Sequence, residues 1–215
     1  MKTISTRLFA IAALLFATSF AASAQFNLGR VIQGAVKTTK ALTLSDKDLA
    51  EYASQAVAQM DKTNTVLPED SPYTQRLRRL TVGLKEADGI PLNFKVYQTS
   101  EVNAFACPDG SVRVYTGIMD LLDDNELLGV IGHEIGHVMK HHSRKAMKNE
   151  LLQGALADAI ASADGRLAAL TDSQLGELGR AFGSAKYSRK QESEADNCGY
   201  DFLVCGLGSS HGNVF

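Results

Sequence analysis

His133-Glu134-Ile135-Gly136-His137 spells H-E-x-x-H inside an apolar run, Glu126 to Met139, that is predicted to be helical. Four residues along a helix bring two imidazoles onto one face, about 6 Å apart along the axis. Both rings can then reach one Zn²⁺ at about 2.0–2.1 Å. Glu134 is rotated roughly 100° from His133. A carboxylate there lies beside the metal rather than on it, the position of a general base for a zinc-activated water.

Two histidines do not complete a catalytic zinc site, which takes a third protein ligand and leaves the fourth position to water. Ser143 stands ten residues after His133 and Lys140 seven after, which excludes a third histidine and a glycine at those places. Glu150 falls roughly 20 Å beyond His137 on the same predicted helix, and Glu177 has no supporting neighbour. Glu192 is the strongest candidate. It opens Glu192-Ser193-Glu194-Ala195-Asp196, an E-x-x-x-D whose two acids share a helix face. Asp196 can then accept a hydrogen bond from a zinc-bound imidazole and fix its tautomer and orientation. Glu194 is expected to point to the other side. Alone, the acidic pair would read as a solvated face; with H-E-x-x-H in the same chain it reads as part of the site.

Around these residues the sequence predicts an α+β fold, mostly helical, with a small antiparallel sheet or hairpin beside the H-E-x-x-H helix. A first helix is capped by Ser45 and runs to about Met60. A loop over Asn64–Asp70 leads to a second, with Pro72 at its first position, to about Glu86. Leu92–Thr99 alternates as a half-buried strand. Ala104–Cys107 and Ser111–Tyr115 flank Pro108-Asp109-Gly110 as a hairpin, and a helical turn follows at Gly117–Leu122. Asp124 opens the motif helix, which is expected to continue past Lys140 to about Ile160. Further helices are predicted from Thr171 to about Ala185 and from Gln191 to Leu203.

On the motif helix Leu127, Leu128, Val130, Ile131, Ile135 and Val138 make one apolar face. Gly129, Gly132 and Gly136 make a stripe where another backbone can approach. Each glycine costs about 1 kcal/mol relative to alanine in a helix, so close packing around a site is the reason to expect for them.

Lys2 and Arg7, the apolar run Leu8–Phe20 and Ala22-Ser23-Ala24 form the three parts of a signal peptide, 1–24, cut after Ala24. Residues 25–44 are expected to be a lead-in and 45–205 a single domain that carries the zinc-site motifs. Residues 206–215 are an irregular tail. The expected location is the periplasm or the exterior, and no cysteine follows the cut to carry a lipid. No other run reaches the roughly 20 apolar residues of a membrane span. A net charge of −2 argues against a nucleic-acid partner. The chain has three cysteines, Cys107, Cys198 and Cys205. The last two, seven apart on one helix, stand about 10 Å apart, too far for a disulfide.

H-E-I-G-H followed at long distance by Ser188-Arg189-Lys190-Gln191-Glu192-Ser193-Glu194-Ala195-Asp196 resembles the HtpX/CAAX-prenyl-protease-like zinc metallopeptidases, a gluzincin family. Val102–Ala106 and Arg113–Gly117 resemble the segment that this family places just before its zinc helix. Thr171–Leu178 is similar to the soluble periplasmic LoiP-type branch. The resemblance covers roughly Leu42 to Phe202. It implies His133, His137 and Glu192 as ligands of one Zn²⁺ per chain, Glu134 as general base and acid, and Asn103 at the cleft as a donor to the oxyanion. It also implies a mostly helical endopeptidase of envelope protein quality control. The family continues with a further helix after the E-A-D helix, whereas residues 206–215 do not read as one. The tail is therefore expected to be truncated or divergent, leaving Tyr200, Phe202 and Leu203 partly exposed.

The edge around Phe105, Val112, Arg113 and Val114 is expected to bind substrate as an added strand, which favours extended or unfolded polypeptides. A rival from another class is a zinc-stabilised holdase that binds envelope proteins without cutting them. Glu134 argues against it: a structural site uses four protein ligands and has no use for a carboxylate beside the metal.

Overall fold

The computed structural model describes residues 44–162 and 168–208. The expected signal peptide, most of the expected lead-in and the end of the tail lie outside the described residues. Helix α1 (Asp46–Thr63) starts where Ser45 and Asp48 cap each other: Ser45 Oγ accepts from the Asp48 N–H and Asp48 Oδ2 accepts from the Ser45 N–H. Helix α2 (Pro72–Thr81) begins with proline at N1, as expected, but stops short of Glu86. Asp88 and Gly89 both take positive φ, 52° and 73°, and fold β1 (Glu86–Ala87) against β2 (Ile90–Pro91). The Asp-Gly pair is a hairpin signal that outweighs the helical period before it.

Strands β3 (Asn93–Tyr97), β4 (Ala104–Ala106) and β5 (Ser111–Tyr115) form a sheet in the order β3-β5-β4. The hairpin is present, β4 antiparallel to β5 with Phe105 opposite Arg113. β3 joins parallel to β5, so the sheet is mixed. Helices α3 (Thr116–Leu121), α4 (Asp124–Met139), α5 (His142–Leu151), α6 (Gly154–Ser162), α7 (Asp172–Gly183) and α8 (Arg189–Gly208) complete the described chain. The motif helix does not run on to Ile160. His141 takes a left-handed conformation, φ 58°, and ends α4 one turn after His137. Among the described residues no helix is long and apolar enough to cross a membrane.

Strand alternation gives the sheet two apolar faces. Val96, Val112 and Val114 join Leu127, Ile131 and Ile135 of α4 in one core. Tyr97, Phe105 and Tyr115 join Tyr52 of α1 and Leu178 of α7 in another. The sheet thus lies between the motif helix and the helices behind it, and α4 takes its position from the valine face.

This arrangement corrects the substrate-binding expectation for Val112, Arg113 and Val114. β5 is the central strand, hydrogen-bonded on both sides, so no added strand can pair with it. Arg113 is 2 % exposed and makes a two-pronged pair with Asp61 of α1, Nε to Oδ1 at 2.9 Å and Nη2 to Oδ2 at 3.1 Å. Lys95 and Tyr97 donate to the same carboxylate at 2.8 and 2.6 Å. Burial raises the Asp61 pKa, but the hydrogen bonds from Arg113, Lys95 and Tyr97 win and hold it below the ordinary 3.8. Asp61→Ala should cost about 3–5 kcal/mol, because it leaves Arg113 charged, buried and unpaired; urea unfolding measures this. The contribution is whole above about pH 4 and is lost as the pH falls through the lower native-state value.

Helix α8 lies against α4 at backbone distance. A Cβ on Gly136 would overlap the carbonyl oxygen of Ala195, and one on Gly199 would overlap that of Gly132. Gly132 itself abuts Leu203, which is half-buried there, as is Phe202, while Tyr200 is 69 % exposed. Gly129 has open space beside it, so two of the three glycines in the stripe serve the close approach.

Candidate metal centre

Three side chains from two helices converge. His133 and His137 project from α4 and Glu192 from the first turn of α8. His133 Nε2 and His137 Nε2 are 3.0 Å apart, and Glu192 Oε2 lies 3.2 Å from the first and 3.7 Å from the second. A tetrahedral ion about 2.0–2.1 Å from each donor spaces its ligands roughly 3.3 Å apart. The triangle therefore fits such an ion.

Hydrogen bonding at the far side of His133 points the same way. Its Nδ1 stands 2.7 Å from Asp196 Oδ1. An ionised carboxylate only accepts, so a hydrogen sits on Nδ1, and the tautomer with its one hydrogen there turns a bare Nε2 to the group. Burial, then the neighbouring rings of His133 and His142, pushes the His137 pKa down to about 4. His137 is therefore neutral at pH 7. In the tautomer that carries the His137 hydrogen on Nδ1, the two facing nitrogens, 3.0 Å apart, are both bare and would repel unless a cation lay between them. The donor set, two imidazoles and one carboxylate, is one that zinc takes in catalytic sites.

Glu134 lines the same cavity, of about 170 Å³, together with Asn103, Phe105, Ala106, Phe182 and Tyr187. Burial raises its pKa to about 7, while His133 and the backbone amide of Ala106 pull the other way. A carboxyl poised near neutrality can take and return a proton. Asn103 Nδ2 donates one hydrogen to the Gly183 carbonyl at 2.9 Å.

Residues the sequence reading missed complete the arrangement. Tyr187, in the irregular stretch between α7 and α8, stacks on His137 with ring centroids 3.9 Å apart and planes 22° off parallel. Desolvation raises its phenol pKa further above the ordinary 10. Glu194 does not point away from the site. Its Oε2 is 3.2 Å from His142 Nε2, and His142 Nδ1 is 3.0 Å from His137 Nδ1. Nothing in the spacing signals this contact, because on a continuous helix His142 would be turned about 140° away from His137. The break at His141 brings it back. Glu177 is exposed and stands apart from the group.

A mostly helical α+β fold with a small sheet against an H-E-x-x-H helix is that of a zincin-like metallopeptidase. Comparison with known proteins gives the family. Residues 73–206 match peptidase family M48. The metalloprotease YcaL of Escherichia coli (strain K12) is 44 % identical over 173 residues, which are 80 % of this chain and 68 % of YcaL. The metalloprotease LoiP of the same organism is 38 % identical over 194 residues, 90 % of this chain and 77 % of LoiP. The β-barrel assembly-enhancing protease of that strain is 27 % identical over 179 residues, 77 % of this chain and 36 % of that protein. The chain belongs to peptidase family M48. It is a metalloendopeptidase, and the holdase reading falls away.

Proposed function

We propose that this metalloprotease cuts unfolded or damaged polypeptides of the cell envelope, with one Zn²⁺ held by His133, His137 and Glu192. The convergence of those three donor atoms within 4.8 Å of one another, beside the raised carboxyl of Glu134, carries the reading. Zinc in such a set supplies a Lewis acid that makes water acidic near pH 7 and polarises a carbonyl. Glu134 takes the proton of the attacking water on a carboxylate oxygen and returns it to the leaving amine. Asp196 holds the His133 ring, and Asn103 donates to the oxyanion as charge develops there.

Substrate choice follows from β4. Among the described residues it is the outer strand of its sheet and pairs with β5 on one side only, and Asn103 to Ala106 line the cavity. A polypeptide bound along it must be extended, which favours unfolded chains. The leader-like first 24 residues support a periplasmic location, and a relative named for enhancing β-barrel assembly supports envelope proteins as substrates.

The metal joins α4 to α8 and binds only the folded arrangement, so it should stabilise the protein. At a free zinc concentration a thousandfold above Kd the gain is about 4.1 kcal/mol. Chelation should lower the melting temperature and stop casein cleavage, and added zinc should restore both. A melting temperature and a cleavage rate indifferent to chelator would overturn the proposal.

A further inference from the structure

We infer that His142 and Glu194 form a positioning chain that sets the tautomer of His137 and aims its Nε2 into the metal centre. The inference rests on the ligand set proposed above and extends it to two residues that touch neither the metal nor the substrate.

Glu194 Oε2 faces His142 Nε2 at 3.2 Å. A carboxylate oxygen only accepts, so Nε2 of His142 carries a hydrogen, and in the tautomer with its one hydrogen there Nδ1 is the acceptor. That Nδ1 faces His137 Nδ1 at 3.0 Å. Two bare nitrogens cannot share that distance, so the hydrogen between them belongs to His137. With its hydrogen on Nδ1, His137 has its lone pair on Nε2, the atom 3.0 Å from His133 Nε2 and 3.7 Å from Glu192 Oε2. The reverse assignment would put the hydrogen on Nε2 and close that nitrogen to a metal.

The site then has two such supports. Asp196 fixes His133 directly, and Glu194 fixes His137 through one intervening ring. Glu192, Glu194 and Asp196 alternate along the start of α8, yet each serves the centre: one at the donor triangle, two behind it. The fold is built for the second support. The left-handed His141 turns the chain so that His142, 6 % exposed, faces back toward the helix that has just ended. Tyr187 holds the other degree of freedom of the His137 ring by stacking on its face.

The test is zinc affinity of the full chain, by competition with a chromogenic chelator, and the visible spectrum of the Co²⁺-loaded protein. His142→Leu keeps the bulk and removes the acceptor; it should weaken zinc binding about 10–100-fold and alter the Co²⁺ bands. His142→Asn places Oδ1 where Nδ1 stood, so it should recover most of the affinity and the wild-type bands, which a loss of packing alone would not predict. Glu194→Leu changes a partly exposed side chain and tests the outer link if His142→Leu does not fold. It should weaken binding, while Lys190→Leu, which removes only the 3.7 Å contact to Glu194 Oε1, should not. Wild-type affinity in folded His142→Leu or in Glu194→Leu, or an Asn variant no better than the Leu variant, would overturn the inference. If the wild-type chain itself takes up no zinc, the ligand set beneath the inference fails with it.

Discussion

Glu134→Gln should abolish proteolysis while the protein keeps its zinc. The amide has the shape of the carboxyl and can still accept from the backbone N–H of Ala106, so the cavity should not rearrange. It cannot take a proton from the attacking water or carry one to the leaving amine. General acid–base groups contribute about 10²–10⁴-fold to rate, and a residue that serves both steps should lie at the top of that range. The wild-type pH profile follows from the same carboxyl. Burial places its pKa at about 7, and a dication beside it moves the value down. Activity should therefore fall on the acid side as the pH drops through a value below 7, with the protonated acid inactive as a base. The measurements are zinc content by mass spectrometry and casein cleavage for both proteins. Peptidase activity retained by the Gln variant, free of contaminating protease, would remove Glu134 from the mechanism. Loss of zinc from that variant would make Glu134 a ligand instead.

The parts of this molecule that depend on local period were legible in its sequence, and the parts that depend on a single backbone break were not. H-E-x-x-H fixes the relation of His133, Glu134 and His137 by helix geometry alone, and the structure brings Glu192 and Asp196 to them from 55 or more residues away. The glycine stripe announced a close neighbour without naming it; the neighbour is α8, with Gly199 meeting Gly132. The hairpin was legible from Pro108-Asp109-Gly110, but not that β3 would add beside β5 and make it the central strand. Parallel pairing has no turn signal of its own, and so Arg113 read as part of a substrate-binding edge when it is buried and bound to Asp61. The left-handed His141 hid the most: with the helix drawn straight through it, His142 falls on the wrong face and Glu194 is left without a role.

Glu192→Ala should weaken zinc binding far more than Glu194→Ala. Loss of a ligand removes a bond and leaves two imidazoles, too few to hold the ion firmly. The expected loss exceeds the roughly 10–100-fold that an outer support is worth, and Glu194→Ala or Asp196→Ala should fall within that range. All three acids stand near the start of one helix, and Glu192 and Glu194 are alike in charge and exposure, 45 % and 41 %, so a general electrostatic attraction for a cation would weaken about equally with either. The order of the losses therefore separates coordination from charge. It also depends on α8 keeping its place, since Glu192 reaches the triangle only while Ala195 and Gly199 lie against Gly136 and Gly132. Circular dichroism and the melting temperature of each variant without metal check that condition. Equal losses from Glu192→Ala and Glu194→Ala, in proteins that melt alike without metal, would sink the assignment of Glu192 as the third ligand.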